Sequence, residues 1–311
     1  MKSRPNDSSF YSGISASRHW WDGFAVRGIQ WRRFIDWAVL NVPSGFHPAL
    51  IWIGSMLFFF IAAPARRSVV RHLAVVLPRS RLLANHLRAI RVFANFGWML
   101  TDAAVHRLLH SPFAFELEGE NFLDQLGAAE GAIVLTAHMG NYDLGAAMFA
   151  KKFNRQLRMV RAPEPDALTA RHVDVAFHQT GSVKVDYSDN GTALAFDLLN
   201  ALRDREIISV QGDRVVGELA RASVNFFGRD VLLPTGPFVL ALASGAPIYP
   251  LFIIRTGFRR YKVIAYEAIV VMRNVQSRDD EIAKAMVQWS AVLEEIVRQN
   301  WSQWYAFQPL F

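Results

Sequence analysis

A histidine and an aspartate five residues apart, His138 and Asp143, have the types and spacing best suited to catalysis in this chain of 311 residues. They lie in the stretch Ile-Val-Leu-Thr-Ala-His-Met-Gly-Asn-Tyr-Asp-Leu-Gly, residues 133–145. On one continuous helix, an offset of five residues would separate the two side chains by about 140°, so they could pair only across a turn. An apolar strand, a turn at Gly140 and Asn141, and a helix beginning near Asp143 would provide that turn.

Such a pair would form a general base. A carboxylate bonded to one imidazole nitrogen fixes the tautomer, and the other nitrogen can then accept a proton from an attacking hydroxyl. The backbone N–H groups of the turn at Gly140 and Asn141 are candidate donors to the oxyanion that forms during the attack. The spacing alone is not specific, because the chain has nine histidines and a lone histidine is more often satisfied by packing.

A second candidate site follows the apolar run 207–211, where a glycine-containing turn presents Asp213 and Arg214. Turns at strand ends are where open α/β sheets bind ligands. An arginine there suits a phosphate group, which it can hold through two hydrogen bonds. An ordinary turn with a solvated ion pair would explain the same two residues.

The elements that must position these residues form an α/β pattern. Short apolar runs rich in β-branched residues alternate with helix-like stretches, which indicates an α/β domain. The runs are 132–136, 157–161, 183–187, 207–211, 248–254 and 261–266. A helix is predicted within 80–110, and a capping box at Ser277-Arg-Asp-Asp280 predicts the start of the last helix. Because Arg161, Arg214 and His138 each follow such a run, we expect them at one edge of one sheet.

Composition narrows the chemistry. The chain has no cysteine, which excludes disulfides, thiolate metal sites and cysteine nucleophiles, and we predict neither a metal nor a cofactor. It carries 34 Lys and Arg against 27 Asp and Glu, a net charge of +7, which favours phosphate, anionic lipid headgroups or an acidic carrier protein as partners. No nucleic-acid-binding motif is recognisable, so nucleic acid is not a predicted partner.

The N-terminal part favours a lipid surface. We expect a loose polar tail at 1–18, an apolar and basic membrane-associating region at 19–78, and an α/β domain at 79–311. The apolar core 49–63 has 15 residues, fewer than the roughly 20 that a membrane-spanning helix needs. Tryptophans at 20, 21, 31, 37 and 52 are typical of a membrane interface. A span, a segment dipping into one leaflet and a buried helix of a soluble core all remain open.

Six motifs occur in an order that resembles the lipid A acyltransferase family, the late lauroyl and myristoyl transferases, within the larger lysophospholipid acyltransferase group. They are His138-Met-Gly-Asn-Tyr-Asp143, Val160-Arg-Ala-Pro163, Gln211-Gly-Asp-Arg214, Phe226-Phe-Gly228, Pro234-Thr-Gly-Pro237 and Gly245-Ala-Pro-Ile-Tyr-Pro-Leu-Phe252. The resemblance extends from about residue 30 to the C-terminus and includes the closing Gln303-Trp-Tyr305.

This resemblance implies a mixed, largely parallel sheet flanked by helices, as in glycerolphosphate acyltransferases, with an apolar N-terminal helical region. It implies that His138 is the general base and that Asp143 supports it, although well-known lauroyl transferases carry Glu at the acidic position. The implied enzyme is a bacterial O-acyltransferase on the cytoplasmic face of the inner membrane. It would move a fatty acyl chain from acyl carrier protein, in preference to acyl-CoA, to a hydroxyl of a glycolipid or lipid A-like acceptor.

Direct attack on a thioester agrees with the residues present, because the chain has neither a G-x-S-x-G elbow nor a cysteine. Acyl carrier protein is acidic, so basic residues after the His138 motif could steer it. These are Lys151, Lys152, Arg155, Arg158 and Arg161, of which Arg161 belongs to a motif of the resemblance. A solvated face or a headgroup contact would explain the others equally well. A catalytically silent lipid-binding protein and an acyltransferase for lysophospholipid or another lipid remain alternatives.

Overall fold

The computed structural model describes residues 29–163, 167–178, 183–188, 191–215, 219–273 and 277–311. The predicted polar tail, Trp20 and Trp21 lie outside these residues. The strands are β1 (Ala114–Glu118), β2 (Ala132–Thr136), β3 (Leu157–Arg161), β4 (Val183–Tyr187), β5 (Ile207–Gln211), β6 (Arg221–Phe226), β7 (Arg229–Pro234), β8 (Ile248–Gly257) and β9 (Arg260–Ala265).

Ten helices are present in the described residues. They are α1 (Ile29–Asn41), α2 (His47–Ile61), α3 (Ala63–Val76), α4 (Leu82–Leu109), α5 (Glu120–Ala128), α6 (Tyr142–Phe153), α7 (Ala167–His178), α8 (Gly191–Arg203), α9 (Gly236–Ser244) and α10 (Arg278–Gln299). Ser277 caps α10 by accepting a hydrogen bond from the Asp280 N–H, as its capping box predicts.

A mixed seven-stranded sheet in the order β1-β9-β8-β2-β5-β3-β4 forms the centre of the fold. All of its neighbouring pairs are parallel except β8 with β9, which confirms the predicted mixed, largely parallel α/β class. Every residue of β2 is buried, as expected for a central parallel strand covered on both faces. The carboxyl ends of β2, β3 and β5 therefore lie at one edge.

Two apolar clusters cover the two faces of this sheet. Leu198 of α8, Phe238 of α9 and Trp289 of α10 belong to the cluster on one side. Leu126 of α5 and Phe149 of α6 belong to the other. These helices hold the strand ends, and with them the candidate site, in a fixed arrangement.

The structure adds three strands that the sequence did not predict. β1 is an edge strand whose side chains alternate between exposed and half-buried, so it lacks the apolar run that marks central strands such as β2. β6 and β7 form a separate antiparallel hairpin. Its turn residues, Phe227 and Gly228, both have positive φ, at 54° and 72°, which suits a tight hairpin turn.

The apolar N-terminal segment forms α2, which packs lengthwise against α4. Ile51, Ser55 and Phe59 face the interior, whereas much of the opposite face is exposed. Gly97 of α4 permits the close approach, because a Cβ there would lie 3.1 Å from Ile51 Cγ2. By length and composition, the helical stretch Ser44–Ile61 could cross a membrane.

Candidate active site

The centre of the site is a hydrogen-bonded pair between His138 and Asp213. His138 Nδ1 lies 2.7 Å from Asp213 Oδ1, and the backbone N–H of His138 donates to the same oxygen at 3.1 Å. The indole N–H of Trp304 donates to Asp213 Oδ2 at 3.0 Å. With Nδ1–H directed at the carboxylate, the Nε2 atom is left as the proton acceptor of the ring.

Strand register brings this pair together. Thr136 at the end of β2 is the register partner of Gln211 at the end of the neighbouring strand β5. His138 and Asp213 each follow their strand end by two residues. Because parallel neighbours end at the same edge, the two side chains meet in front of the sheet.

Asp143 does not occupy the position expected for it. The predicted strand, turn and helix are present, and Asp143 lies in the first turn of α6. Its carboxylate, however, accepts a hydrogen bond from Arg161 Nη1 at 2.7 Å, and the carboxylate bonded to His138 is that of Asp213. The start of α6 directs Asp143 toward the end of β3, where Arg161 lies, so the carboxylate partner of the imidazole comes from a different strand end.

Burial and nearby charges set the protonation of this pair. Burial lowers the pKa of His138, the carboxylate of Asp213 opposes that shift, and the guanidinium groups of Arg214 and Arg161 add to it. The imidazole is therefore neutral near pH 7 and able to accept a proton. Burial alone would raise the pKa of Asp213, but His138, Arg214 and the Trp304 N–H outweigh it and hold that pKa below its usual range.

The two arginines predicted at this edge have protein contacts of their own. The guanidinium of Arg161 lies over the rings of Tyr142 and Phe177, at 5.9 and 5.7 Å from their centroids, besides its bond to Asp143. Arg214 Nη1 donates to the backbone oxygen of Tyr305 at 3.4 Å. Both charges lower the pKa of His138, and the Tyr142 ring beneath Arg161 lies 6.2 Å from the His138 ring.

Gly140 and Asn141 serve the turn itself. The Gly140 N–H donates to Gln303 O at 3.0 Å and the Asn141 N–H to Ile253 O at 2.8 Å, so the expectation that these groups face an oxyanion is wrong. Gly140 has a φ of 58°, and a Cβ there would lie 1.8 Å from Ile253 O, so the close backbone approach requires glycine.

The Asn141 side chain is fully buried and engaged. Its Oδ1 accepts the Leu144 N–H at 3.1 Å and caps α6. Its Nδ2 donates to the Tyr261 hydroxyl at 3.2 Å and to Met99 O at 3.3 Å. These contacts engage both ends of the amide, and the substrate-binding role of Asn141 stays a prediction.

Two members of the predicted basic cluster, Arg155 and Arg158, bond to other parts of the protein. Arg155 donates to main-chain oxygens of Ala129, at 2.9 Å, and of neighbouring turns. Arg158 is buried and makes a two-pronged contact with Asp186 at 2.6 and 2.7 Å. The expectation that this cluster forms one basic surface for a carrier protein therefore fails for Arg155 and Arg158.

An apolar cavity lies behind the catalytic turn, along the inner side of α6. Tyr142, Gly145 and Phe149 line it from the helix. Val134 of β2 and Ile253 of β8 line it from the sheet. The Tyr142 ring lies 6.2 Å from the His138 ring, so the cavity begins close to His138.

A neutral histidine held by a buried aspartate, two arginines and an apolar cavity together form the candidate active site of an acyltransferase. The chain belongs to the bacterial lipid A biosynthesis acyltransferase family, whose model matches residues 37–311.

The chain is also similar to curated proteins that are named as acyltransferases. A phosphatidylinositol mannoside acyltransferase of Mycobacterium tuberculosis is 26% identical over 149 residues, which is 47% of this chain and 46% of that protein. The protein of the same name from Mycolicibacterium smegmatis is 27% identical over 128 residues, 40% of each chain. The chain thus spans less than half the length of these relatives.

Proposed function

We propose that the protein is a membrane-bound O-acyltransferase that moves a fatty acyl chain from an acyl thioester to a hydroxyl of a phosphate-bearing glycolipid. The observation that carries this proposal is the hydrogen bond between His138, which follows β2, and the buried Asp213, which follows β5. His138 Nε2 takes the proton of the acceptor hydroxyl while the hydroxyl oxygen attacks the thioester carbonyl. When the tetrahedral intermediate collapses, the C–S bond breaks and the imidazolium returns the proton to the leaving thiolate.

The nature of the acceptor follows from the arginines and from the names of the relatives. Arg161 and Arg214 flank the base, and a guanidinium binds phosphate through paired hydrogen bonds. Lipid A and phosphatidylinositol mannoside are both sugar-bearing lipids with phosphate groups. A phosphate on the acceptor, or on the prosthetic arm of acyl carrier protein or CoA, would bind to one or both of these cations.

The acyl chain of the donor would enter the cavity behind the catalytic turn. Its lining of Gly145, Phe149 and Ile253 is apolar and begins beside Tyr142, next to the base. The cavity measures only about 20 Å³, so the acyl chain would enter as the side chains around it move apart. Burial of each methylene there would contribute about 0.8 kcal/mol.

The N-terminal helices would hold the enzyme on the membrane without crossing it. Exposed apolar side chains on α1, α2 and the start of α4 form what we call the apolar face: Phe34, Trp37, Leu40, Trp52, Ile53, Leu57, Phe60, Leu82, Leu83 and Leu87. The other side of α2 packs on α4, which carries Arg88, Arg91 and the buried Asp102. Since these charges accompany α2, insertion into one leaflet is favoured over a span.

The enzyme would lie on the cytoplasmic face of a bacterial inner membrane, because acyl thioesters are made in the cytoplasm. Replacing Trp52, Ile53 and Leu57 together by Ser should release the protein from membranes into the soluble fraction. Replacing Phe196, which is exposed on α8, by Ser is the matched control. Retention of the triple variant at high salt would contradict docking through α2.

An acyl-transfer assay tests the proposed reaction. The purified protein receives lauroyl, myristoyl or palmitoyl thioesters of acyl carrier protein or CoA, with a lipid extract of cells that lack the gene, and mass spectrometry detects the acylated lipid. His138→Ala should lower the rate by about 10²- to 10⁴-fold while the protein stays folded and membrane-bound. Vesicle binding without acyl transfer by the wild type would instead indicate a silent lipid-binding protein.

A further inference from the structure

The C-terminal segment Gln303–Ala306 lies directly against the turn that carries His138. The Tyr305 N–H donates to His138 O at 2.7 Å, and Gln303 O accepts the Gly140 N–H at 3.0 Å. Between these two bonds, Trp304 forms an antiparallel bridge with Met139. The catalytic turn is therefore paired, residue by residue, with a chain segment more than 160 positions away in sequence.

Within this segment, one side chain reaches the catalytic pair. Trp304 is 4% exposed, and its indole N–H donates to Asp213 Oδ2 at 3.0 Å. Asp213 is fully buried and uses its other oxygen, Oδ1, for His138. Without the indole, Oδ2 would lose this partner, and a buried carboxylate oxygen without a partner is costly.

The position of Trp304 is itself fixed by aromatic neighbours. Its ring lies 5.4 Å from the His72 ring and 6.0 Å from the Phe226 ring, measured between centroids. His72 of α3 holds the same segment at two points, because its Nδ1 donates to Ala306 O at 3.0 Å and its Nε2 accepts the Leu310 N–H at 3.1 Å. The indole is thus anchored independently of Asp213.

We infer that Trp304 is a positioning residue for catalysis: its indole N–H fixes the Asp213 carboxylate so that Oδ1, and no other atom, holds the His138 ring. This inference rests on the proposed function, in which His138 is the base. The hydrogen bond to Oδ2 also withdraws charge from the carboxylate, which limits how strongly Asp213 favours the imidazolium.

Loss of the indole N–H should therefore change both rate and titration. The carboxylate would be less well oriented, and kcat should fall about tenfold to a hundredfold, as for one hydrogen bond to a charged group, with KM nearly unchanged. The pKa of His138 should rise, because a more basic carboxylate stabilises the imidazolium. Three other groups face His138, namely Arg161, Arg214 and Tyr142. The Trp304 substitutions leave these three residues unchanged.

Two variants separate the N–H group from the bulk of the ring. Trp304→Phe removes the donor and part of the packing. A second variant carries 3-(3-benzothienyl)alanine at position 304, whose ring keeps the shape of indole with sulfur in place of N–H. Trp301→Phe is the matched control, because Trp301 lies three residues before Trp304 and its ring packs under the Arg91 guanidinium instead of bonding to Asp213.

Three measurements are made on each variant: kcat and KM for acyl transfer, the acid limb of the rate profile against pH, and the His138 titration followed by NMR of labelled imidazole. The inference is supported if both Trp304 variants show a lower kcat and an upward shift of both pH curves. Trp301→Phe should behave like the wild type in all three measurements. A benzothienyl variant with wild-type kcat and titration would overturn it, even if Trp304→Phe were unstable.

The same design separates this inference from the proposed function. If His138→Ala keeps normal turnover, the proposed base is wrong, whatever Trp304 does. The NMR titration needs no activity, and an unchanged His138 pKa in the benzothienyl variant would then still refute an effect of Trp304 on the pair.

Discussion

Asp143 and Arg161 form an ion pair of 2.7 Å between Asp143 Oδ1 and Arg161 Nη1, at the mouth of the site. The pair joins the first turn of α6 to the end of β3, and both side chains are largely buried. Asp143 therefore holds Arg161, whereas Asp213 bonds His138, the proposed base, directly. The two aspartates should differ in what their removal does to the kinetics.

Asp213→Asn should damage turnover far more than Asp143→Asn. An asparagine at 213 can present an N–H where Oδ1 now accepts, which favours the wrong tautomer of His138, and we expect kcat to fall by about 10²- to 10⁴-fold. Asp143→Asn should act through Arg161 and raise KM more than it lowers kcat. Steady-state kinetics of both variants would check this, and a larger loss of kcat in Asp143→Asn would restore Asp143 as the support of the base.

The sequence predicted the turns that carry His138 and Asp213, but it did not predict that these two residues pair. The positions of β2 and β5 were predictable, because a central parallel strand is a largely continuous apolar run with clear ends. The turn with His138 and the turn with Asp213 were each recognisable for the same reason. Their pairing was not, because it depends on β5 being the neighbour of β2, and long-range packing decides strand order.

The contribution of Trp304 was hidden for a related reason. It follows the last long helix, α10, and no local pattern connects it to a turn more than 160 residues earlier. The edge strand β1, in which charged residues alternate with apolar ones, was also missed. Local propensity identified the elements, whereas contacts between distant segments completed the site.

Arg161→Lys and Arg214→Lys test the phosphate-binding role. Lysine keeps the charge but loses the planar pair of donors, so the apparent KM for one substrate should rise more than kcat falls. The substrate that responds, lipid acceptor or acyl donor, identifies the bound phosphate. If KM stays unchanged while the melting temperature of Arg214→Lys drops, Arg214 serves structure through its bond to Tyr305 O and not substrate.

Mild acid should destabilise the protein through His72. Burial lowers the pKa of His72 to about 4, so between pH 6.5 and 4 the unfolded chain binds a proton that the folded chain does not. The free energy of unfolding should therefore decrease as pH falls through this window, by about 3 kcal/mol from this group.

Urea unfolding at several pH values measures the dependence on His72. His72→Gln keeps a polar side chain but cannot titrate, so its stability should depend less on pH than that of the wild type. His106→Gln is the control, because His106 lies on α4 away from the C-terminal segment. An equally steep pH dependence in His72→Gln would assign the acid sensitivity to other groups.

Phe149→Leu and Phe149→Ala should shift the acyl chain preference toward longer chains. Phe149 lies two turns along α6 from Tyr142 and lines the cavity where it stacks on Phe153, at 5.8 Å between ring centroids. A smaller side chain there deepens the cavity without touching the base, so kcat/KM should fall for lauroyl and rise for palmitoyl donors. Alanine also leaves a void that costs about 3–5 kcal/mol of stability, whereas leucine costs less, so the leucine variant decides the result.

Phe196→Ala is the control, because Phe196 lies on the exposed side of α8. Mass spectrometry should show the same product lipids for this variant as for the wild type. If both Phe149 variants keep the wild-type chain length, the acyl chain binds outside this cavity.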